Sequence, residues 1–412
     1  MGELVVGLDI GTHKICTVVG EVRPDDIFVV GAGIERSRGV KKGVVNDIGA
    51  LTTAISASVH KAEQTSGYEI ERAFVSVAGS HVASLTSHGM AGIPAQRSVR
   101  PEDLDKALEN ARTIAIAHNR EVLHVVPRRY SLDGHEVRSP IGMHGYRLEV
   151  DAHIITAASS SIANLEQAVE AAGVYVDRFI LNPLAAGDAV LTDEEREMGV
   201  VVIDIGGGTT DLAIFIENTV WHTSVISVGG DHVTNDITYV MRIPFETAEA
   251  VKIQYGHALA KEVNPSESFL VEQFGEGMPV KVQRSDIAQI IEARFEEIFE
   301  MAQKEIKRSG YDGLLRAGAV ITGGSSQLPG VRDVASRVFG FPIRLAKPER
   351  LTGMADTLRN PAYSTSVGLL GLGLEMDTAP EMEARVINSI PGARIGSFLG
   401  SFFRRLLPDA GE

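Results

Sequence analysis

The chain contains 412 residues, of which 44% are hydrophobic and 6% aromatic, and its formal net charge is -15. This length predicts roughly two to four soluble globular domains, because a domain usually contains about 100 to 200 residues. The acidic balance argues against general nucleic-acid binding, which requires a basic surface. The single cysteine, Cys16, excludes a disulfide framework and a multi-cysteine metal site, and we expect it to be a buried thiol.

The beginning of the chain lacks the features of a secretory signal. Residues 1–6 contain no basic region and lead directly into a predicted strand. No apolar run approaches the ~20 residues that a membrane-spanning helix requires. We therefore expect the protein to be made and kept in the cytoplasm.

Residues 4–20 read as a strand, a turn and a returning strand, and the same pattern recurs at residues 200–216. The first turn carries Asp9, Gly11, Thr12 and Lys14. The second follows the apolar run before Asp204 and contains Gly206, Gly207, Gly208 and Thr209, with a carboxylate, Asp211, at its rim. Superposing Asp9 on Asp204 pairs Gly11 with Gly206, which indicates an internal duplication about half a chain apart.

Such turns suit a phosphate ligand. Glycines after a buried strand can adopt positive φ and let backbone N–H groups close on an anion, and Asp204 is placed to hold a hydrated Mg²⁺. One such turn could equally be an ordinary tight turn, but two facing each other predict a polyphosphate site. Lys14 would supply a point charge for it, the alternative being a solvated surface lysine.

From about Val82 to Ala157 an αβ block of about 75 residues interrupts this pattern and is large enough for a small domain. Residues 101–118 show helical spacing, with Leu104, Leu108, Ala111, Ile114 and Ala115 on one side. Residues 122–126, 129–132 and 147–155 are strand candidates. Four of its histidines, His118, His124, His135 and His144, lack metal-ligand spacing, so we do not expect a metal there.

Further signals lie in the second half of the chain. Two small-residue helices, from residue 182 onward and at 361–374, favour a hinge between two halves, although a plain α-hairpin core fits the first almost as well. A glycine turn containing Gly230 begins a helix, and a third glycine-rich strand exit carries Gly323, Gly324 and Ser325 and is expected to begin another. Residues 244–255 place Glu246, Glu249 and Lys252 on one helix edge, as a surface ion pair or as a ribose or base contact.

These motifs, in this order over residues 4–374, resemble the five-motif pattern of the actin, Hsp70 and sugar-kinase ATPase superfamily. Within it the chain is most similar to the FtsA family of bacterial division proteins. The similarity rests on the block after Ala78 and on three further segments. They read Val-Gly-Gly-Asp from Val228, Ala-Glu-Ala-Val-Lys from Ala248 and Asn-Pro-Ala-Tyr-Ser-Thr-Ser-Val-Gly-Leu from Asn360.

The resemblance implies a duplicated, actin-like α/β fold with two lobes around a cleft that binds ATP and Mg²⁺. It implies Asp9 and Asp204 near the metal through water, and Gly11, Thr12, Lys14 and Gly206 to Thr209 on the phosphates. It also implies that Glu249, Lys252, Gly323 and Gly324 lie around the adenosine, and Gly230 and Ser325 are further expected nucleotide-binding residues. Asn182 stands where ATPase relatives carry Gln or Glu to orient the attacking water. Asn is shorter and is no base, so we expect weak or absent hydrolysis.

The expected domain boundaries follow from the same resemblance. A first lobe comprises residues 1–82, 159–196 and 359–374, with the inserted αβ subdomain at 83–158. A second lobe comprises 197–226 and 301–358, and a further subdomain spans 227–300. Residues 375–393 are acidic, contain two prolines and lack a sustained period, which predicts a flexible linker.

The last stretch, 394–407, has the pattern of an amphipathic helix. Its apolar side chains lie on one half of a helical wheel: Ile395, Phe398, Leu399, Phe402, Phe403, Leu406 and Leu407. Arg404 and Arg405 lie on the other half. The segment is too short and too charged to span a membrane, so it predicts an interfacial membrane helix. The alternative is a helix that packs on the protein's own core.

An estimate of the energetics indicates how such a helix would act. Partial burial of these apolar side chains gains on the order of 10 kcal/mol, and each arginine adds about 1 kcal/mol on anionic lipid. Ordering the segment at roughly 1 kcal/mol or more per residue cancels most of this gain. A monomer should therefore bind lipid weakly, and polymerisation should strengthen attachment by linking several helices.

The combined hypothesis is an ATP-binding, actin-like division protein that polymerises and tethers FtsZ filaments to the cytoplasmic membrane at the septum. The resemblance also implies other division proteins as partners, and binding of the FtsZ carboxyl-terminal tail within residues 227–300. A pilus-assembly actin-like scaffold is one alternative, but it would lack the terminal helix. A phosphotransferase or chaperone of the same superfamily is another. The first needs a carboxylate base in the cleft and the second a β-rich domain after residue 374.

Overall fold

Among the described residues, three β-sheets of four or more strands form the framework of the fold. The computed structural model describes residues 4–23, 26–113, 117–274 and 279–377. The strands are β1 (Leu4–Ile10), β2 (Lys14–Val22), β3 (Ile27–Arg36), β4 (Val40–Lys41), β5 (Val44–Val45), β6 (Arg72–Val77), β7 (Val82–Gly92), β8 (Arg120–Leu132), β9 (His135–Val137), β10 (Arg147–Ala158), β11 (Tyr175–Leu181), β12 (Val200–Ile205), β13 (Thr210–Ile216), β14 (Thr219–Ile226), β15 (Ser268–Val271), β16 (Val280–Gln283), β17 (Gly318–Thr322), β18 (Ile343–Leu345) and β19 (Leu351–Gly353). The helices are α1 (Ile48–Ser66), α2 (Pro101–Arg112), α3 (Ser159–Ala171), α4 (Asn182–Val190), α5 (Asp193–Met198), α6 (Gly230–Met241), α7 (Phe245–Tyr255), α8 (Arg284–Ser309), α9 (Val331–Phe339) and α10 (Ser364–Asp377).

Two of the sheets repeat one topology. The first has the order β11-β6-β1-β2-β3-β19 and the second the order β14-β13-β12-β17-β18. In each sheet, three consecutive strands form an antiparallel meander, β1-β2-β3 or β12-β13-β14. A later strand, β6 or β17, pairs in parallel with the first strand of the meander, and β11 or β18 extends that pairing. The predicted duplication is confirmed in strand order and direction, and we call the two halves lobe I and lobe II.

Helices α4 and α10 lie between the two sheets. Helix α4 contacts β12 and β13 of lobe II, α10 contacts β1, β2 and β6 of lobe I, and the two helices contact each other. Their backbones approach closely, because a Cβ at Gly368 would lie only 1.7 Å from the carbonyl oxygen of Ala185. Since α4 packs against a helix distant in the chain, it is not half of a local α-hairpin. The geometry agrees with a pair of helices that connects the lobes.

The inserted block forms its own sheet, with the order β7-β10-β8-β9 and helix α2 packed on it. A separate apolar cluster that includes Leu108, Val125, Leu148 and Ile154 holds this sheet and helix together. Strand β7 was not predicted from the sequence. It is an edge strand with glycines at 89 and 92 and an exposed, mixed polar and apolar face, so its signal is weak.

Two other expectations for the block were wrong in detail. Helix α2 ends at Arg112 rather than continuing to residue 118, and His118 lies in a turn. The following residues begin Thr-Ile, and β-branched residues lower helix propensity; residues 114–116, including Ile114 and Ala115, lie outside the described residues. The two strands predicted at 122–126 and 129–132 form one strand, β8. It contains a register shift opposite Asp151 and Ala152, because Pro127 and Arg128 interrupt regular pairing.

Lobe II includes α6 to α9 and the hairpin β15-β16. One apolar cluster joins its sheet to these helices, with Phe295 and Phe299 of α8 fully buried among Ile203, Ile237 and Val334. The expected division between 227–300 and 301–358 falls within α8, which spans both ranges. The domain boundaries therefore remain predictions.

The end of the described chain is helix α10. It continues to Asp377, past the predicted end at residue 374, which shortens the expected linker. The linker beyond Asp377 and the predicted membrane-binding residues, Ile395 to Leu407, lie outside the described residues. Within the described part of the chain, no helix is both long enough and apolar enough to cross a membrane.

Candidate functional site

A cavity of about 380 Å³ lies between lobe I and lobe II. Every residue predicted to contact nucleotide, metal or attacking water lies on its wall: Asp9, Gly11, Thr12, Lys14, Asn182, Asp204, Gly206, Gly207, Gly208, Thr209, Gly230, Glu249, Lys252, Gly323, Gly324 and Ser325. Its volume lies within the range of small-molecule sites. The sequence motifs, which are scattered over more than 300 residues, therefore converge on one cavity.

Turn I, residues 11–14, joins β1 to β2. The N–H of Gly11 donates to the carbonyl oxygen of Lys14 at 3.0 Å, which closes the turn. The ammonium of Lys14 donates to Asp9 Oδ2 at 3.3 Å and lies 4.9 Å from the ring centroid of Tyr363. Burial opposes the charged ammonium, but the neighbouring negative groups, Asp9 foremost among them, together raise the pKa of Lys14. Lys14 is thus a fixed positive charge in the cavity wall, and the surface-lysine alternative does not hold.

Turn II, residues 206–209, joins β12 to β13 in the same way. The N–H of Gly206 donates to the carbonyl oxygen of Thr209 at 2.9 Å. Strand β12 before it is buried at every position, as its uninterrupted apolar run predicts. The two turns lie in contact. A Cβ at Gly208 would be 2.6 Å from Thr12 Oγ1, and a Cβ at Gly207 would be 2.5 Å from the ring of His13.

Three carboxyl groups lie at the floor of the cavity. Asp9 accepts hydrogen bonds from Ser76 at 3.0 Å and Ser366 at 2.6 Å. Burial raises the pKa of Asp204 to about 6, and the charge of Asp9 adds to this, while the hydrogen bond from Thr365 at 3.0 Å opposes it. Burial, followed by the charge of Asp204, raises the pKa of Asp211 to about 8. Buried carboxyl oxygens of this kind suit a divalent cation, held directly or through its water ligands.

The lobe II wall of the cavity is built from α6, α7 and the loop after β17. Lys252 Nζ donates to Glu249 Oε2 at 2.6 Å, to Thr234 Oγ1 at 2.8 Å and to the carbonyl oxygen of Gly230 at 3.2 Å. Lys252 is only 6% exposed, so this is not the surface ion pair considered from the sequence. Ser325 Oγ donates to the carbonyl oxygen of Gly206 at 3.0 Å, which joins the third glycine loop to turn II.

That third loop differs from the expectation in one respect. Residues Gly324–Gln327 form a short 3-10 turn, and helix α9 begins only at Val331. The loop reverses the chain before the helix, with Gly323 at φ +92°, where a Cβ would lie 2.3 Å from Asp204 Oδ1. The backbone of the loop, rather than a helix amino terminus, therefore faces the cavity.

Asn182 lies at the first position of α4, at the cavity wall. Its Oδ1 atom is buried and has no hydrogen-bond partner among the described residues, and the same is true of Asp211 Oδ1. Two free oxygen acceptors thus face a polar cavity, and such groups are usually satisfied by water or a ligand. Asp211 was seen in the sequence only as a rim carboxylate and was not assigned to the site.

Two other cavity residues were missed by sequence reasoning. His13 of turn I forms a hydrogen bond to Asp231 at the start of α6, which joins the two lobes directly. That hydrogen bond raises the pKa of His13 against the opposing effect of burial. Thr365 of α10 lies beside Asp204. The position of His13 inside turn I could have indicated that this residue lines the cavity, whereas no local sequence pattern pointed to Thr365.

The remaining ionisable candidates have simpler roles. Glu246, predicted on the same helix edge as Glu249, pairs instead with Arg36 of lobe I at 2.5 Å, and both side chains are exposed. Cys16 is buried as expected, and burial raises the pKa of its thiol to about 12. The described residues contain no group of three or more histidine, cysteine or acidic side chains arranged to hold a metal ion.

Comparison with known proteins identifies the family. A family model described as cell division protein FtsA matches residues 201–368, and one described as the SHS2 domain inserted in FTSA matches residues 79–156. The cell division protein FtsA of Pseudomonas aeruginosa is 44% identical over 376 residues, covering 91% of this chain and 90% of that protein. The cell division protein FtsA of Escherichia coli K12 is 36% identical over 415 residues, covering 98% of this chain and 96% of that protein.

Solved structures share the fold at lower identity. The PilM-PilN type IV pilus biogenesis complex superposes with a TM-score of 0.66 at 16% identity, covering 90% of this chain and 98% of that chain. MreB5 of Spiroplasma citri bound to ADP superposes with a TM-score of 0.57 at 16% identity, covering 92% and 98%. These likenesses confirm the predicted actin-like fold, and the match to the inserted SHS2 domain confirms the inserted αβ subdomain. From its similarity to the two relatives over almost its whole length, the chain belongs to the FtsA family of cell division proteins.

Proposed function

We propose that this protein is an ATP-binding, actin-like division protein that polymerises and tethers FtsZ filaments to the cytoplasmic membrane at the septum. The observation that carries the nucleotide part is the cavity between the lobes, where two equivalent glycine turns meet beside a fixed lysine and buried carboxylates. Family membership supports the role in division.

ATP fits the donor set of this cavity. The backbone N–H groups of the two turns and the ammonium of Lys14 would hold the phosphates, and Glu249, Lys252 and the loop at Gly323 would contact the adenosine. Asp9 and Asp204 would hold Mg²⁺ through its water ligands, and the ion would neutralise phosphate charge beside these carboxylates. The structural neighbour MreB5 binds ADP, and its shared fold supports the same location here.

We expect hydrolysis of the bound nucleotide to be weak. Asn182 can hold a water molecule through its free Oδ1, but an amide accepts no proton. Asp211 also has a free oxygen, yet its raised pKa of about 8 leaves it protonated at neutral pH. Nucleotide would then fix the conformation that polymerises rather than being turned over rapidly.

The carboxyl-terminal segment supplies the membrane contact in this proposal. Its support is the sequence pattern at residues 394–407, which places every large apolar residue on one half of a helix and arginines on the other. The protein would therefore be peripheral, on the cytoplasmic side of the membrane. The energy estimate above makes attachment depend on polymerisation.

An exposed apolar patch in lobe II supports docking of the FtsZ tail within residues 227–300. Tyr239 and Val240 at the end of α6 are 86% and 57% exposed, and Leu270 and Phe274 are 68% and 64% exposed. The N–H of Phe274 donates to the carbonyl oxygen of Arg242 at 2.9 Å, so the two segments adjoin. A short peptide with apolar anchors suits such a surface.

Sedimentation with anionic phospholipid vesicles tests the combined function. The full chain with ATP and Mg²⁺ should sediment with vesicles, and more strongly at concentrations where it polymerises. A chain ending after Asp377 keeps α10 intact and should remain in the supernatant while still binding ATP. Vesicle binding unchanged by this truncation would refute the tether. Equal binding by polymerising and polymerisation-deficient forms would refute the coupling.

Both alternative functions have less support. The similarity to a pilus protein is 16% and extends to the fold alone, whereas the division proteins are 36% and 44% identical. A phosphotransferase would require an ionised carboxylate base in the cleft, and the raised pKa of Asp211 disfavours it in that role.

A further inference from the structure

The first turn of α10 carries three consecutive hydroxyl side chains: Ser364, Thr365 and Ser366. All three are buried, with exposed fractions of 1%, 5% and 0%. They form hydrogen bonds in three different directions. Ser364 Oγ contacts Thr322 Oγ1 at 2.6 Å and donates to the carbonyl oxygen of Pro361 at 3.0 Å. Thr365 and Ser366 instead donate to carboxylates.

The two carboxylates belong to different lobes. Thr365 Oγ1 donates to Asp204 Oδ2 of lobe II at 3.0 Å, and Ser366 Oγ donates to Asp9 Oδ2 of lobe I at 2.6 Å. One helical turn therefore contacts both carboxylates that face each other across the cavity. Since α10 packs on the lobe I sheet, the contact of Thr365 crosses from one lobe to the other.

These contacts restrict the orientation of both carboxylates. A hydroxyl that donates to a carboxylate forms a short, strong hydrogen bond and holds the group in one orientation. Asp9 is held from both sides, because Ser76 donates to its Oδ1 atom while Ser366 donates to Oδ2. Neighbours that orient a ligand group typically change metal affinity 10- to 100-fold when removed.

We propose that Thr365 and Ser366 are positioning residues, which hold Asp204 and Asp9 ready for a hydrated divalent cation. This inference rests on the proposed function, in which Mg²⁺ accompanies the nucleotide. It assigns to the second connecting helix a direct role at the metal site. Cation binding would then depend on the relative position of the two lobes, because only one lobe carries the helix that holds both carboxylates.

The experiment compares Thr365→Val and Ser366→Ala with Ser364→Ala in the full chain. Ser364→Ala is the matched control, because it removes a buried hydroxyl from the same turn without touching a carboxylate. Binding of Mn²⁺ in the presence of ATP is followed by the electron paramagnetic resonance of the free ion. We expect Thr365→Val and Ser366→Ala to raise the half-saturating Mn²⁺ concentration about 10-fold. Ser364→Ala should leave it within about two-fold.

Two further measurements separate positioning from a general loss of structure. Thr365→Ser retains the hydroxyl and should restore the Mn²⁺ dependence of the unaltered chain. ATP affinity measured in EDTA should be the same for all variants, since no cation is then bound. An unchanged Mn²⁺ dependence in Thr365→Val and Ser366→Ala would contradict the positioning role of these residues and leave the proposed nucleotide function intact. If the unaltered chain binds no ATP, or binds it without regard to Mn²⁺, the proposed nucleotide function and this inference both fail.

Discussion

Turn I and turn II occupy equivalent places in the two lobes. Ile10 pairs with Ile15 in the first and Ile205 pairs with Thr210 in the second, so the intervening loops have the same length. Their side chains differ. Turn I carries His13 and Lys14, whereas turn II consists of three glycines and a threonine. One lobe therefore offers the cavity positive charge, and the other offers backbone N–H groups at close range.

This difference indicates that neither lobe alone suits a polyphosphate. Lys14 without turn II is a point charge with little directional selectivity. Turn II without Lys14 offers an anion only uncharged backbone N–H groups, and these lie beside the carboxyl groups of Asp204 and Asp211. In the structure the two turns lie in contact at Gly208 and Thr12, so a ligand held by both turns would link the two lobes. Closure of the cleft and binding of a charged ligand are thus expected to support each other.

The largest effect should come from removing the charge of turn I. Lys14→Met is expected to weaken ATP binding by about 10- to 100-fold, because a hydrogen bond to a charged group contributes about 1.5 to 3 kcal/mol. Titration with a fluorescent ATP analogue measures the loss. Lys61→Met is the control, since Lys61 pairs with Glu35 at 2.7 Å on the surface of the same lobe. Unchanged affinity in Lys14→Met would mean that turn I does not supply the charge.

A smaller effect is expected from turn II. Gly208→Ala would place a Cβ 2.6 Å from Thr12 Oγ1 and 3.0 Å from Lys42 Cα, which forces the turns apart. ATP affinity should fall about 10-fold, in keeping with the roughly 1 to 3 kcal/mol of an overpacked contact. Gly313→Ala has no atom within 4 Å of its new Cβ and should bind as the unaltered chain does. Equal affinity for both variants would show that the turns need not approach so closely.

Lys14 and Gly208, the residues of these two predictions, could be assigned to the cavity from the sequence for physical reasons. A buried apolar strand that ends in Asp, Gly and Thr is a local signal, and its repetition after Asp204 strengthened it. The order of motifs then predicted one cavity, because equivalent strands of a duplicated fold present equivalent ends. The inserted subdomain was recognised by the interruption of that pattern, although its edge strand β7 was missed.

What the sequence could not supply was contact between distant residues. Thr365 and Asp204 are 161 positions apart, and His13 and Asp231 are 218 apart, so no local pattern relates them. The protonation of Asp211 depends on burial and on the charge of Asp204, both of which arise only in the folded chain. Helix α2 was predicted to end too far along the chain, because helical apolar spacing continues past the point where β-branched residues weaken the helix.

The pH dependence of stability tests the protonation of Asp211, the carboxyl group beside turn II. Its folded pKa of about 8 lies above its usual value of 3.8, so between these values the folded chain holds a proton that the unfolded chain has released. Stability should therefore decrease as pH rises from about 4 to 8. Asp211→Asn removes this dependence and should raise the melting temperature by about 2 °C or more at pH 7.5, with a smaller gain near pH 4.

Thermal unfolding without nucleotide and divalent cation measures this change. Asp312→Asn, at an exposed position of the same lobe, is the control and should leave the pH dependence unaltered. A gain in Asp211→Asn that is the same at both pH values would mean that Asp211 is ionised in the folded chain. Asp211 would then add a negative charge beside turn II, and Lys14 would be the main group that neutralises it.

The smallest effect concerns the contact that joins turn I to lobe II. His13 forms a hydrogen bond to Asp231, and its pKa lies above the usual 6.5, so the ion pair is complete below pH 6.5 and is lost as pH rises through the elevated value. Asp231 is the nearest charge to His13, and Glu249 and Lys252 face it with opposite effects. Release of bound ATP should therefore be slower at pH 6 than at pH 8.5.

The expected difference is about two- to five-fold, because His13 is partly exposed and such ion pairs are worth less than about 1 kcal/mol. Stopped-flow displacement of a fluorescent ATP analogue measures the release rate at both pH values. His13→Gln and Asp231→Asn should each remove the pH dependence, and the double variant should behave like either single one. His60→Gln, at an exposed position of lobe I, should retain the dependence. A dependence that persists without His13 would mean that another group titrates, and turn I would then contribute charge to the cavity without a pH-dependent contact to Asp231.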